Sequence, residues 1–312
     1  MRVFVSGVAG QVGSHVADAL LARGDQVCGI DNFATGRRVN LPDSPQFDFH
    51  EGSIADRSQI SDLVSRFRPD AVVHAAASYK DPSNWVEDVA TNTAGAVNLI
   101  DAFRAAGGGE GRFIYYQTAL VYGVRPLTNP ITLDHPRRVN NSSYSISKGA
   151  AEDYLDLSGL DTVTFRLANV IGDRCASGPL PIFYQRLKDG KACFVTKSRR
   201  DFVYVGDLVK ATLMALDGTG AGAYHYSSGG DFPIIDLYTA VARAIGMDPI
   251  PAVDVRDLGP DDAPSILLDP SRTVQDFGSI DFTPLEETVR RAVAYYEQFG
   301  TAGEFTHLKL DS

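Results

Sequence analysis

An α/β fold with a doubly wound parallel sheet is predicted by two features of the first 172 residues: short apolar runs alternate with helix-period stretches, and a glycine turn follows directly on the first apolar run. Arg2–Val5 reads as the first strand, and beyond the turn Val12, Val16, Ala19 and Leu20 recur at helical spacing. Gln26–Ile30, Phe47–His50, Ala71–His74, Phe113–Tyr116 and Thr162–Arg166 read as the following strands. Helical patterns fill Arg57–Phe67, Val86–Ala105 and Ser143–Leu157 between them. Such an order requires right-handed crossovers and a sheet covered on both faces. Its ligand belongs at the carboxyl ends of the strands, near the switch point after the first.

Beyond Gly172 the rhythm changes. Asp173–Pro181 is rich in Gly, Pro and polar residues, Ile182–Leu187 looks helical, and Phe202–Val205, Asp207–Leu216 and Tyr224–Ser227 read as strand, helix and strand. The division expected is a first domain over 1–172 with a return at about 201–228, and a smaller, partly interleaved α/β domain over 173–200 and 229–312.

At 312 residues with 44% hydrophobic content the chain buries enough core to need no staple, and disorder is excluded for most of it. Its three cysteines (Cys28, Cys175, Cys193) are far apart and odd in number, which fits a reducing compartment, and they show no zinc spacing. The opening Met-Arg-Val-Phe-Val-Ser-Gly is a strand entering a glycine turn, so no signal peptide and a cytoplasmic location are expected. A net charge of −10 argues against nucleic acid and anionic membrane surfaces as partners, and no apolar run approaches the ~20 residues of a bilayer span. A local anion site remains compatible with that charge.

Gly7-Val8-Ala9-Gly10-Gln11-Val12-Gly13 has the spacing of a dinucleotide loop. Gly7 permits the tight turn, Gly10 lets backbone approach a pyrophosphate, and Gly13 lets the helix pack on the sheet. A plain strand–helix turn is the bland alternative. Asp31 follows Gly13 by 18 residues at the end of the second strand, where a carboxylate accepts bonds from ribose hydroxyls and repels a 2′-phosphate. This favours NAD, while Arg37-Arg38 leaves a 2′-phosphate reading open.

Tyr144-Ser145-Ile146-Ser147-Lys148 puts a phenol and an ammonium on one helical face, which continues through Ala151 and Leu155. An ordinary tyrosine is a poor base at neutral pH. A lysine cation and an oxidised nicotinamide both favour the phenolate, so Tyr144 is expected to titrate low. Alone, this spacing is usually a surface pair; downstream of a dinucleotide loop it reads as an acid–base site. Thr118 stands at the end of the fifth strand, where a crevice ligand lies. His74, His135 and His225 lack ligand spacing and read as structural, so no metal is expected, and Trp85 reads as a packing residue.

Taken together, several stretches resemble extended short-chain dehydrogenases/reductases of the nucleotide-sugar epimerase/dehydratase branch over essentially the whole chain. They are the glycine loop, Asp31–Arg38, His74-Ala75-Ala76-Ala77, Thr118 before Val121-Tyr122-Gly123, Tyr144/Lys148, Arg166–Gly172 and Arg200–Val205. The resemblance implies a Rossmann-type fold that binds NAD, and a nucleoside-diphosphate sugar as substrate. It places Gln11 and Val12 against the pyrophosphate, and Asp31, Asn32, Phe33, Thr35 and Gly36 around the adenosine. Ser53 and Ile54 fall near the adenine, Ala75, Ala76 and Ala77 along the cofactor channel, and Thr91 at a further cofactor position. Asn169 and Arg200 match positions that hold the sugar nucleotide's diphosphate; for Arg200 a salt bridge with Asp201 or Asp207 is the structural alternative.

Three departures qualify that picture. Ser53 replaces an acidic residue beside adenine. A second phosphate arginine is missing near Gly259-Pro260-Asp261-Asp262, where Arg256 could substitute. Ala119 and Leu120 occupy two positions that are acidic in members performing chemistry at C5, and neither can move a proton. The resulting expectation is an NAD-dependent nucleotide-sugar 4-epimerase with Thr118, Tyr144 and Lys148 as catalytic residues. A 4-ketoreductase, dehydrogenase or dehydratase is the alternative, and a non-catalytic NAD-binding regulator the more distant one. By the same resemblance the helices at Val86–Ala105 and Ser143–Leu157 pair across a two-fold axis in a homodimer.

Overall fold

A computed structural model describes residues 1–79, 81–138, 142–259 and 262–302. Seven strands form one parallel sheet: β1 (Arg2–Ser6), β2 (Gln26–Asp31), β3 (Phe47–Glu51), β4 (Ala71–His74), β5 (Arg112–Thr118), β6 (Asp161–Leu167) and β7 (Gly222–Tyr226). Their spatial order is β7-β6-β5-β4-β1-β2-β3, so the chain reverses direction between β1 and β4. The expected strands of the first half are all present. Most extend further at their carboxyl ends, where Ser6, Asp31 and Thr118 carry the pairing toward the switch point.

Helices α1 (Gln11–Ala22), α2 (Arg57–Phe67), α3 (Trp85–Asp88, continuing to 105), α4 (Ser143–Ser158), α5 (Pro179–Lys188), α6 (Val205–Leu216), α7 (Ile234–Ala244), α8 (Ser271–Phe277) and α9 (Leu285–Phe299) surround it. Side-chain alternation along the strands divides the core. Val3, Val5, Ile114 and Val163 face α1 and α6 residues such as Val16, Leu20 and Leu208, whereas Phe4, Val72, Phe113 and Tyr115 face Leu63, Leu99 and Leu155 on the other side. A separate apolar cluster joins Leu180 and Phe183 of α5, Leu237 and Val241 of α7, and Val289 and Val293 of α9.

The expected continuous helix over Val86–Ala105 is interrupted. A wide π turn spans Val89–Ala94 before the regular helix resumes at Gly95–Ala105. The polar side chains it turns inward explain the departure. Asn92 accepts from Ser78 N at 2.8 Å and donates to Ser78 O and to Ser147 Oγ, each at 3.0 Å, tying the loop after β4 to α4. Trp85, expected to pack, is instead 67% exposed at the start of α3. His74, His135 and His225 are buried, and the three cysteines are buried free thiols.

Candidate active site

A cleft of about 460 Å³ opens at the carboxyl ends of the sheet, lined by segments that follow β1, β2, β4 and β5 and by the first turns of α4. The glycine loop forms one wall. Gly7 has a φ of +69°, and a Cβ there would lie 2.6 Å from the Ala76 nitrogen; a Cβ on Gly13 would lie 2.2 Å from the Gly7 oxygen. Helix α1 therefore starts hard against the loop, with no side chain capping its N-terminus. Gly10, Gln11, Val12 and Gly13 all line the cleft, and the buried amide nitrogen of Gln11 has no partner among the described residues. An unpartnered donor beside an uncapped helix start suits a dinucleotide pyrophosphate.

Asp31 is buried. Its carboxylate accepts from Ala9 N at 2.9 Å and from Phe33 N at 2.7 Å. Burial raises its pKa, and the bonds from Phe33, Ala9 and Gly10 oppose that rise. Asn32 and Thr35 line the same end with Ser53 and Ile54, while Phe33 and Gly36 lie outside the lining. The Phe33 ring packs on Phe49 at 5.5 Å, and Gly36 leaves room for the Asp31 carboxylate. Neither arginine waits for a 2′-phosphate: Arg37 caps α9 through the carbonyls of Phe299 and Gly300 (2.5 and 2.7 Å), and Arg38 pairs with Glu51. NAD should consequently bind at least ~10-fold more tightly than NADP, because a phosphate dianion would meet a poorly screened carboxylate. Equal dissociation constants in a fluorescence titration would contradict this assignment.

Ala75, Ala76 and Ala77 line the middle of the cleft, with Thr91 nearby donating to Glu87 at 2.8 Å. At the far end stand Thr118, Tyr144 and Lys148. Ser142 caps α4 by accepting from Ser145 N at 3.1 Å, and Ala151 and Leu155 are buried beneath, so Tyr144 and Lys148 project from an anchored face. Thr118 Oγ1 accepts from Leu120 N at 3.2 Å, which leaves its own proton to donate toward the cleft.

The low titration expected of Tyr144 with both Lys148 and an oxidised nicotinamide beside it is not produced by the protein alone. Tyr144 is not lowered: burial raises its pKa above the ordinary tyrosine range, and nearby Tyr79 and Asp88 push the same way. Lys148 does not offset this, since burial brings it down to about 7 against the opposing pull of Glu152. Its ammonium lies 4.1 Å from the centre of the Tyr115 ring. The protein alone thus holds a neutral phenol beside an amine that is easily neutralised, and the positive nicotinamide is needed to favour the phenolate.

Ala119 is buried and Leu120 partly so, both against a cluster containing Val121, Ile131 and Leu268, outside the cleft lining. Among the described residues, the carboxylates that line the cleft besides Asp31 are Asp81, which accepts from Ser83, and Glu87, which accepts from Thr91. Asn169 and Arg200 also lie outside the lining. Asn169 donates to Asp201 O at 3.1 Å. Arg200 donates to the carbonyls of Arg199 and Ala263, both at 2.8 Å, and makes no ion pair among the described residues. The salt bridges weighed for it are absent there: Asp201 accepts from Ser227 and Ser228, and Asp207 pairs with Lys210. Arg256 is held by Asp254 at 2.8 Å and lies over Phe194; Pro260 and Asp261 fall outside the described residues.

Sequence reasoning did not single out Tyr79, Gln117 or Ser177, which line the cleft. Tyr79 and Gln117 lie just beyond His74–Ala77 and just before Thr118, and nothing in their spacing marks them. At the sheet edge, Cys28, Asp48 and His50 place potential ligand atoms within 4.8 Å of one another. Burial pushes the Cys28 thiol up to about 12.

Known proteins share this architecture and its sequence. Residues 3–227 match the profile of the NAD dependent epimerase/dehydratase family. A UDP-glucose 4-epimerase of Mycolicibacterium smegmatis is 32% identical over 319 residues, covering 95% of this chain and 98% of its own. The Bordetella bronchiseptica enzyme WbmH, solved with NAD+, is 60% identical with a TM-score of 0.94, covering 96% of this chain and 99% of its own. WbmG of the same organism, solved with NAD and UDP, is 39% identical with a TM-score of 0.90, covering 100% and 99%. With a dinucleotide loop, an acidic residue closing β2 and the Thr118–Tyr144–Lys148 set in one cleft, this chain belongs to the NAD dependent epimerase/dehydratase family.

Proposed function

We propose that the protein is an NAD-dependent nucleotide-sugar epimerase acting at C4. The observation that carries this reading is the convergence of Thr118, Tyr144 and Lys148 at one end of a cleft whose other end is built for a dinucleotide. NAD, when bound, supplies the oxidant for the C4 carbinol and returns the reducing equivalent to the ketone. Tyr144, as phenolate, takes the C4 hydroxyl proton and gives it back on the return step. Thr118 donates to the reacting oxygen, and Lys148 holds the nicotinamide ribose. Between the two steps the ketone turns about its diphosphate. Asn169 and Arg200 are the residues for that anchor: Arg200 is a largely buried cation whose pKa is lowered by desolvation, so an anion beside it would relieve the cost. Residues 1–172 with 201–228 would hold the cofactor, and 173–200 with 229–312 the sugar nucleotide.

A screen of nucleoside-diphosphate sugars against the purified protein tests this, with UDP sugars first because of the relatives' names. Interconversion of two C4 epimers without added NAD(H) is expected. Net consumption of NAD(P)H with accumulation of a reduced sugar would replace the epimerase reading by a ketoreductase.

The family resemblance also leads us to propose a homodimer. Trp85, Val86 and Val89 of α3 and Ile146, Tyr154 and Leu157 of α4 are exposed large hydrophobics on the two helices expected to pair. Light scattering should give twice the chain mass at micromolar concentration; a monomer would contradict the pairing. Among the described residues no helix is long and apolar enough to cross a membrane. The three free thiols support the cytoplasm as the location.

A further inference from the structure

Thr118 ends a strand and Lys148 sits on a helix, so something must fix one against the other. Gln117 is the side chain that bonds to both among the described residues. Its Oε1 accepts from Thr118 N at 2.9 Å, and its Nε2 donates to Lys148 O at 2.8 Å and to Glu152 Oε2 at 3.0 Å. The residue is 1% exposed and lines the cleft.

The surroundings make this a rigid frame. Gln117 on β5 is the register partner of Arg166 on β6, and Arg166 grips the other oxygen of Glu152 through Nε (3.0 Å) and Nη2 (2.8 Å). Glu152 lies one helical turn beyond Lys148, so two adjacent strands hold two adjacent turns of α4. Tyr115, two residues earlier on the same face of β5, adds a second bond to the Lys148 carbonyl at 3.1 Å and places its ring under the ammonium. Met cannot make these bonds, and Asn is too short to span them.

We infer that Gln117 is a positioning residue, which sets the Thr118 hydroxyl and the Lys148 side chain at their working separation through simultaneous bonds to Thr118 N, Lys148 O and Glu152. The inference rests on the epimerase reading for its turnover effect only, since Lys148's hold on the cofactor is a binding property. A displacement of about 1 Å in such a group costs on the order of 10²-fold in rate.

The test compares the wild-type holoenzyme with Gln117→Met and with the isosteric Gln117→Glu. For Gln117→Met, kcat should fall ~10- to 100-fold with the KM for the sugar nucleotide nearly unchanged, and the Kd for NAD should rise ~10-fold. For Gln117→Glu, an ionised carboxylate faces two acceptors, whereas a protonated one can donate again. Its activity relative to wild type should therefore rise as pH falls, while the Met variant's ratio stays flat. The Glu variant carries the test if Met fails to fold. Values of kcat and NAD Kd within twofold of wild type for Gln117→Met, a matched rise in KM that accounts for the loss, or a pH-independent ratio for Gln117→Glu would overturn the inference. If the wild type turns over no sugar nucleotide, the epimerase reading falls, and the NAD Kd of Gln117→Met still decides this one.

Discussion

Tyr144→Phe should lower kcat by at least ~10²- to 10⁴-fold, the usual contribution of a general acid–base group, while NAD remains bound. Removing only the hydroxyl leaves the ring packed on an α4 that is capped by Ser142 and anchored through Ala151 and Leu155. Gln11, Asp31 and the alanines after β4, which line the cleft and are proposed to hold the cofactor, are untouched. Turnover and cofactor affinity therefore separate in this variant, as they do not for a fold defect. Retention of most of the wild-type kcat, with NAD bound, would remove Tyr144 from its role.

Affinity for NAD+ should rise with pH, up to ~10-fold per unit where one proton is released, whereas affinity for NADH should not. The sign follows from the two groups at the nicotinamide end. Burial raises Tyr144 and lowers Lys148 to about 7 in the protein alone. A positive ring beside them favours phenolate over phenol and amine over ammonium, so its binding expels protons from both. Lys148 contributes below about pH 7, where its ammonium still persists, and Tyr144 contributes above that point. Tyr144→Phe should keep only the lower part of the slope. Calorimetric titrations across pH would read this directly, and parallel slopes for NAD+ and NADH would contradict it.

Much of the frame was legible because its physics is local. The short apolar run Val3-Phe4-Val5, the glycine spacing from Gly7 to Gly13 and the i, i+4 pair Tyr144/Lys148 each follow from backbone geometry within a few residues. What was missed depends on partners distant in sequence. Arg37 is diverted from the cofactor because α9, some 260 residues on, presents its terminal carbonyls there. The π turn in α3 answers to Ser78 and Ser147, and Gln117 acquires its place only when β5 lies against α4. Trp85 misled by type: a large aromatic usually packs, yet here it is exposed on the face assigned to a second copy. The lowered phenol pKa was argued from Lys148 and an oxidised nicotinamide together, and in the protein alone desolvation of both side chains outweighs what the lysine supplies.

The central claim is redox chemistry confined to C4, and it rests on Ala119 and Leu120 leaving no carboxyl group beside Thr118. Its most direct test is the reaction run in deuterium oxide with the sugar nucleotide found in the screen, read by mass spectrometry and proton NMR. The account predicts a product of the same mass as the substrate, inverted at C4, with no deuterium at C5. Loss of water, or label at C5 without loss of mass, would show that another group in the cleft abstracts the C5 proton; loss of carbon dioxide would show that the C5–C6 bond is broken; either would contradict the epimerase account.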